Sequence, residues 1–183
     1  MSSHDKIDLD IYRFILETVT SSSSLDVMSN QVIQLLIGSM KIKGATFFVL
    51  NALEGELEIV ATQGLSVDYV NKGPILVDKS IQRPSNRETV IISDTHVSDQ
   101  LQYPEKAKHE GIRSIVSLPI NVKGKTIGAL RLYHSEVWQI TPLEKNLLES
   151  LALNLGMALK YFRLLTTVES MKDTLAEVHP VWL

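Results

Sequence analysis

The stretch Glu110–Ser135, EGIRSIVSLPINVKGKTIGALRLYHS, constrains the fold of this chain more than any other part of it. Its apolar and β-branched residues fall into two runs separated by Lys123-Gly124, which is typical of two antiparallel strands joined by a tight turn. The first run contains Pro119 and the second contains Gly128. Proline cannot donate to a strand ladder, so Pro119 predicts a sheet edge or a bulge, and Gly128 predicts the close approach of another backbone.

A second hairpin is predicted over residues 45–64, with its bend at Glu54-Gly55. Its first arm is almost wholly apolar or β-branched, which indicates a central strand covered on both faces, and its second arm alternates. Residues 65–89 are mostly irregular because glycine and proline interrupt them. The sequence VIIS, residues 90–93, then predicts a short strand.

Helices are predicted before the first hairpin. Apolar residues recur at helical spacing over residues 7–18 and again over 27–40, and the serine-rich run of residues 20–24 separates the two patterns. Ser24 is the expected N-cap of the second helix. Gly44 is expected to end it.

Two further helices follow the third strand. Pro104 suits a first helical position and Gly111 a position just past the end, so a short helix is predicted between them. The last helix has the clearest start, because Thr141 can cap it, Pro142 suits its first position and Glu144 completes a capping box.

The last helix carries two apolar stripes. Leucines at every fourth position from 147 to 159 form the first, which we expect to face the sheet. The second stripe alternates spacings of four and three residues, which predicts a coiled-coil seam and a homodimer. Its members are Met157, Tyr161, Leu164, Val168, Met171, Leu175 and Val178. The alternative is a single surface helix that packs on its own domain.

The order of these elements predicts an α+β fold. Hairpins make the sheet largely antiparallel, the terminal helices gather on one of its faces, and loops with a short helix cover the other face. Such an unequal sandwich leaves room for a small cavity on the loop side.

Composition narrows the range of functions. The net charge of −3 provides no basic field for a nucleic acid, which is not an expected partner. The chain has no cysteine, which excludes disulfides, thiolate catalysis, Cys-ligated zinc and Cys-attached chromophores. Because no apolar run approaches the roughly 18 residues that cross a bilayer, and the N-terminus does not resemble a signal peptide, we expect a cytoplasmic protein without membrane contact.

Three motifs together resemble the GAF family of small-molecule sensor domains. They are SDTHVSD, EGIRSIVSLPINVKGKTIGALRLYHS and WQITPLEKNLLESLALNLGMAL. The resemblance implies a GAF/PAS-like sheet of five or six antiparallel strands, dimerising helices on one face and a ligand pocket on the other. It divides the chain into an N-terminal helix at 1–22, a GAF domain at 23–163, and a coiled-coil extension and tail at 164–183.

Resemblance to the members that bind cyclic nucleotides suggests pocket positions. They share the sheet face or the loops opposite the terminal helices, and they are Thr46, Phe48, Thr62, Gln63, Ser80, Ile81, Asp94, Thr95, His96 and Tyr103. Phe48 could stack on a ring, and Asp94 could accept hydrogen bonds from a ligand. Structural roles are the alternative: Phe48 in the core and Asp94 capping the turn that follows it.

The ligand and cofactor stay unknown at this point. Members that bind cyclic nucleotides carry Asn-Lys and then Phe-x-x-x-Asp-Glu after the last strand, whereas the chain has His134-Ser135 and Ile140-x-x-x-Glu144-Lys145, so the motif does not support a cyclic nucleotide. In the family that the chain resembles, bilin attachment and methionine sulfoxide reductase activity both depend on cysteines, and this chain has none. Haem is disfavoured because His96, His109 and His134 fall on separate elements, which predicts ordinary surface histidines.

Two functions remain in competition, and neither is an enzyme, because the sequence shows no nucleophile–base pair, phosphate loop or metal motif. The first is a ligand-sensing regulatory domain that signals through dimerising helices. The second is a dimerisation or interaction module whose vestigial pocket is filled by Phe48, Ile81 and Tyr103. A haem gas sensor is a third, weaker option. No effector domain follows the last helix, so we expect a fragment or an effector on a partner protein.

Overall fold

The computed structural model describes residues 5–75 and 88–178, which form one antiparallel sheet with helices on both faces. Five strands lie in the order β2-β1-β5-β4-β3. Their bounds are β1 Gly44–Asn51, β2 Glu56–Gln63, β3 Val90–Ile92, β4 Ser114–Val122 and β5 Lys125–His134. Every neighbouring pair is antiparallel. The predicted fold class, an α+β domain with a five- or six-stranded antiparallel sheet, is confirmed.

Helices occur before, between and after the strands. In the described part of the chain they are α1 Leu9–Ser21, α2 Leu25–Met40, α3 Val67–Val70, α4 Pro104–His109 and α5 Pro142–Val178. The sequence predicted all of these except α3, which is a single turn inside a region read as irregular. Its local signal is Ser66, whose side chain accepts the Tyr69 N–H as an N-cap, with Asp68 in the first turn.

The structure of the central hairpin, β4–β5, explains why it contains a proline and a glycine. Pro119 lies opposite Ala129 of β5, while β3 pairs only with residues 115–117 of β4, so no described strand lies beside Pro119 on its outer side. At Gly128 a Cβ would lie 2.3 Å from the carbonyl oxygen of Phe48 in β1. Both predictions are confirmed, because the proline lies at an edge and the glycine permits a close strand approach.

The helix face of the sheet carries the main core. The sheet contributes alternate residues such as Phe47, Leu118 and Leu130; α2 and α5 cover them, and α1 packs against both of these helices. Leu151 and Leu155 of α5 are 0% and 1% exposed, so the first apolar stripe of the last helix faces the sheet as predicted. Burial of this apolar surface is the dominant favourable term in the stability of such a domain.

The opposite face carries smaller clusters beneath α3, α4 and the connecting loops. One joins Tyr69 of α3 and Ala107 of α4 to Ile115 and Tyr133 of the sheet. The other lies around Phe48, on the alternate side of β1 from Phe47. β1 is therefore covered on both faces, as its apolar sequence predicted.

Helix ends follow their capping residues with one exception. Ser24 accepts the Val27 N–H, and Thr141 and Glu144 exchange the two hydrogen bonds of a capping box at 2.7 and 3.2 Å. The prediction that Gly44 ends α2 is wrong. The helix ends at Met40, and Lys41 takes the left-handed conformation (φ 52°) that glycine usually supplies.

Gly44 instead begins β1. A Cβ there would lie 2.7 Å from the carbonyl oxygen of Gln63 in β2, so the small residue allows the two strand ends to approach. Packing between strands, which the chain's local pattern does not reveal, explains this glycine.

The last helix extends beyond the domain. α5 has 37 residues, or about 55 Å of helix, and Phe162 is the last residue that it buries against the core. Every residue from Arg163 to Leu175 is exposed. Six members of the predicted coiled-coil seam, from Met157 to Leu175, are 40–67% exposed, whereas the side chain of Val178 lies outside the described set.

Candidate functional site

A depression opens on the sheet face opposite the long helices. Ile115 of β4 and Arg131 of β5 form its floor. Its walls come from α3 and the residues after it, and from the segment that leads into α4. The wall residues are Tyr69, Lys72, Ile75, Leu101, Gln102 and Tyr103.

Arg131 places a buried positive charge in this floor. It stands between Thr46 of β1 and Ser117 of β4 in the strand ladder, and only 7% of it is exposed. Its Nε donates to Ser117 Oγ at 3.2 Å, and its Cζ lies 5.4 Å from the centre of the Phe48 ring. Burying a guanidinium is costly unless it is paired and hydrogen-bonded. A buried arginine beneath a depression therefore marks this part of the sheet as a candidate binding site.

Lys72 brings a second cation to the same depression. Its Nζ lies 3.9 Å from the centre of the Tyr69 ring and donates to the Tyr69 carbonyl oxygen at 2.9 Å. Burial, followed by the nearby Arg131 charge, lowers the pKa of Lys72 to about 8. The described lining of the depression therefore includes two cationic side chains, one buried and one partly desolvated.

Tyr103 and Gln102 close one wall. The Tyr103 hydroxyl donates to the Pro74 carbonyl oxygen at 3.0 Å, and Gln102 Nε2 lies 3.1 Å from both that oxygen and the Tyr103 hydroxyl. Gly73 (φ 127°) makes room, because a Cβ there would lie 2.8 Å from the Tyr103 hydroxyl. Gln102 Oε1 is buried and has no hydrogen-bond partner among the described residues.

The enclosed part of the depression is small. Its cavity volume is about 20 Å³, room for about one water molecule, and the depression with its open mouth encloses about 340 Å³. Tyr69 packs edge-on against Tyr133 beside it, with ring centres 5.9 Å apart. Burial raises the pKa of both phenols, so they stay neutral across the physiological range.

Four of the site residues predicted from the sequence lie on the first hairpin. Phe48 is buried on the depression side of β1, next to Arg131. Thr46 is buried and shares a hydrogen bond with Thr62 across the hairpin, with their hydroxyl oxygens 2.8 Å apart. Gln63 lies half-buried at the end of β2, opposite Ala45.

The remaining predicted residues divide into three groups. Tyr103 lines the depression directly. Asp94, Thr95 and His96 lie after β3, outside the residues that line it. Ser80 and Ile81 fall outside the described residues.

Asp94 and Thr95 form hydrogen bonds that join the segment after β3 to the segment before β4. The Asp94 carboxylate accepts two hydrogen bonds from the Arg113 guanidinium, at 2.7 and 3.1 Å, and one from the His96 N–H at 3.0 Å. The hydrogen bonds from Arg113 and His96 lower the pKa of Asp94. Buried Thr95 donates through its hydroxyl to the Ile112 carbonyl oxygen and through its N–H to that of Arg113, both at 2.7 Å. The structural role that the sequence left open for Asp94, capping a turn, is therefore observed.

Sequence reasoning missed the polar residues nearest the cavity: Lys72, Gln102 and Arg131. Arg131 had a signal, because it is the one charged residue in the apolar run ALRLYH, residues 129–134, of a predicted strand. Lys72 and Gln102 had none, since each lies in an irregular segment whose path depends on tertiary packing.

The histidine prediction needs a correction. His96 and His109 are exposed, but His134 is 5% exposed at the end of β5, and its Nδ1 accepts the Glu136 N–H at 2.9 Å. Burial, then the Lys6 charge, lowers its pKa. Over the described ranges no three metal-binding side chains lie close enough to hold an ion.

A family profile described as GAF domain matches residues 24–159, most of the chain. The chain belongs to the GAF domain family. A comparison with curated proteins found no match.

Solved GAF structures share this fold. The chain is similar to the GAF domain of a phosphoenolpyruvate-protein phosphotransferase from Coxiella burnetii, with 20% identity, coverage of 87% of this chain and 96% of that one, and a TM-score of 0.76. It is also similar to a domain assigned to a two-component sensor histidine kinase from Sinorhizobium meliloti 1021 (18% identity, 78% and 94% coverage, TM-score 0.66).

A third similar structure is that of an enzyme. It is the free methionine-R-sulfoxide reductase from Neisseria meningitidis in complex with its substrate, with 18% identity, coverage of 89% and 98%, and a TM-score of 0.71. At these identities the likeness concerns the fold alone.

In the part of the chain that the structure describes, no helix is long and apolar enough to cross a membrane.

Proposed function

We propose that this GAF domain is a regulatory module that binds a small molecule in the depression over Arg131 and passes the signal along α5 to a dimer partner. The observation that carries the proposal is the buried polar floor of the depression, on a sheet whose other face supports α5. A fold needs no buried arginine for stability alone, whereas small-molecule sites combine apolar walls with a few placed polar groups.

The sheet links the two faces physically. Ile115 and Ser117 of β4 lie at the depression, while Ile120 and Val122 of the same strand contact α5. The contact is close, because a Cβ on Gly156 would lie 2.9 and 3.0 Å from the methyl groups of Val122 and Ile120. A shift of β4 on ligand binding would therefore reach the helix directly.

The exposed seam of α5 supports dimerisation. Leu164, Met171 and Leu175 are 61–67% exposed, and they continue the four-three spacing of a coiled coil. An isolated helix that extends about 24 Å beyond its domain is marginally stable in water. Pairing with a second copy of the chain would bury the seam and stabilise that part of α5.

The test of the regulatory role is a thermal-stability screen with the full chain against metabolites of every charge class. A binding molecule raises the melting temperature because it stabilises only the folded state. Native mass spectrometry of freshly purified protein is the complementary measurement. A chain that gains stability from no metabolite and carries none from the cell would contradict the sensory role.

A second function, a dimerisation module with an empty pocket, is favoured by the small cavity volume of about 20 Å³. Phe48, Tyr69 and Tyr103 supply the aromatic bulk on that side. This alternative predicts a dimer in sedimentation together with no response in the metabolite screen.

We also propose that the domain is not a catalyst. The similar Neisseria protein is a reductase, but the chain has no cysteine for the thiol chemistry that the family resemblance associates with that activity. Incubation of the purified chain with free methionine sulfoxide and a thiol reductant should give no methionine above a blank without protein.

A further inference from the structure

The chain just before α1 is hydrogen-bonded to the start of α5, although the paired residues are 136 and 138 positions apart in sequence. The Lys6 N–H donates to Glu144 Oε1 at 2.7 Å, and the Thr141 hydroxyl donates to Asp5 Oδ1 at 2.8 Å. We call residues 5–7 the latch. Its contacts join the chain that enters the domain to the helix that leaves it.

Contacts with the core also hold the latch in place. Ile7 is 0% exposed and belongs to the main core, and Asp8 caps α1 by accepting the Ile11 N–H at 2.9 Å. The Lys6 Nζ lies 5.9 Å from the centre of the Trp138 ring, close enough for a cation–π interaction. Trp138 is itself 4% exposed. The latch is thus an ordered part of the domain, which apolar burial stabilises together with the hydrogen bonds.

Glu144 is the acceptor that the latch and the helix share. The residue is 2% exposed, its Oε2 accepts the Thr141 N–H at 2.7 Å within the capping box of α5, and its Oε1 accepts the Lys6 N–H. Burying a carboxylate is costly unless hydrogen bonds satisfy its oxygens. Withdrawal of the latch therefore removes a charge-assisted hydrogen bond from the group that caps the helix, which destabilises the first turn.

From these contacts we infer that the latch controls the order of the first turn of α5, so that a change in the chain before α1 reaches the last helix without passing through the depression. This control goes beyond the sensory role proposed above, because it needs no ligand. Its effect is local, since Leu151 is 0% exposed and a Cβ on Gly156 would lie 2.9 Å from a Val122 methyl group. These contacts hold the later turns against the sheet, and a helix end with fewer buried contacts opens first.

The experiment separates the Lys6 N–H from the Lys6 side chain. Lys6→Pro removes the hydrogen bond to Glu144, because proline has no N–H. Lys6→Ala is the matched control, because it keeps that N–H and removes the ammonium group beside Trp138. Both changes are made in the full chain, with no metabolite added.

Spin labels report the position of α5 relative to the sheet. The chain has no cysteine, so introduced cysteines can be labelled at chosen positions. The first pair joins Leu143, at the exposed start of α5, to Lys125 at the exposed start of β5, and a reference pair joins exposed Lys160 to the same Lys125. An excess of unlabelled chain restricts the measured distances to labels within one copy.

We expect Lys6→Pro to broaden the distance distribution of the first pair about twofold, because the first turn opens locally, and to leave the reference pair as in wild type. Lys6→Ala should leave both distributions close to wild type. If circular dichroism shows that Lys6→Pro is unfolded, Asp5→Ala takes its place. That change removes the acceptor of the Thr141 hydroxyl and should broaden the same distribution.

Three results in the folded variant would overturn the inference: an unchanged distribution for the first pair, equal broadening of both pairs, or the same broadening in Lys6→Ala. Equal broadening would mean that the whole domain loosens and not the first turn alone. The same broadening in Lys6→Ala would mean that the hydrogen bond to Glu144 is not the control. None of these results depends on ligand binding, so the latch and the sensory role fail separately.

Discussion

Arg113 donates two parallel hydrogen bonds to the Asp94 carboxylate, from Nε to Oδ1 at 3.1 Å and from Nη2 to Oδ2 at 2.7 Å. The pair joins the segment after β3 to the residue just before β4, and the Arg113 N–H donates to the His134 carbonyl oxygen at the end of β5. Two motifs that carry the family resemblance thus meet in space. Their observed contacts are structural, which makes the pair a test of the loop rather than of the depression.

Asp94→Asn should lower the midpoint of urea unfolding, because the amide cannot accept both guanidinium hydrogen bonds as a carboxylate does. The loss should be modest, since the Arg113 side chain is 37% exposed and solvent screens the charges. Asp99→Asn, at an exposed position, is the control. A midpoint unchanged from that control would show that the pair contributes nothing measurable.

Two glycine-to-alanine changes should act in opposite directions. Gly128→Ala would force a Cβ to within 2.3 Å of the Phe48 carbonyl oxygen, so we expect it to cost about 3 kcal/mol of unfolding free energy. Gly38→Ala, in the exposed interior of α2 where nothing lies within 4 Å of the added Cβ, should stabilise by about 0.5–1 kcal/mol. Chemical denaturation measures both, and equal effects would contradict the strand-approach argument.

Stability should fall as pH drops through the ordinary histidine pKa of about 6.5. Burial lowers the pKa of His134 in the folded state, so the unfolded chain binds the proton more readily, and the cost grows until pH passes the lowered folded value. Protonated Nδ1 also cannot accept the Glu136 N–H. His134→Gln should flatten this part of the stability profile, whereas His96→Gln, at an exposed position, should leave its slope as in wild type.

Charge in the seam of α5 should separate the proposed dimer. Leu164→Glu with Val168→Glu places two carboxylates where the coiled coil would bury apolar side chains, so sedimentation should report monomers. Thr166→Glu with Ser170→Glu adds the same charge on the opposite side of the helix and should remain dimeric. A dimer that survives the first pair would refute the seam as the interface.

Local patterns predicted most of the fold. Lys123-Gly124 and Glu54-Gly55 fix two hairpins by turn chemistry, and Thr141 with Glu144 fixes the start of α5, because each signal involves residues close in sequence. The prediction that Gly44 ends α2 was wrong because the role of this glycine depends on a residue distant in sequence. Its role depends on Gln63 across the hairpin, while Lys41 adopted the left-handed conformation unaided by glycine.

The candidate site was harder to predict because its parts come together only in the folded chain. Phe48 and Tyr103 were found through the family resemblance, which supplies tertiary information that a single sequence lacks. Arg131 meets Lys72 only after β5 pairs between β1 and β4 and the residues after α3 fold over the sheet. Asp94, by contrast, follows a strand in sequence but turns toward Arg113 and away from the cavity lining.

The length of α5 gives the domain a mechanical property. About 24 Å of unbroken helix projects past Phe162, so the contact of Gly156 with β4 acts as a fulcrum and the projecting part as a lever arm. The end of α5 lies about 33 Å from Gly156, so a tilt of about 5° there displaces that end by about 3 Å. A rearrangement too small to change the strand pairing would thus produce a larger displacement at the C-terminal end of α5. That displacement could change the position of a protein bound to or joined to the helix.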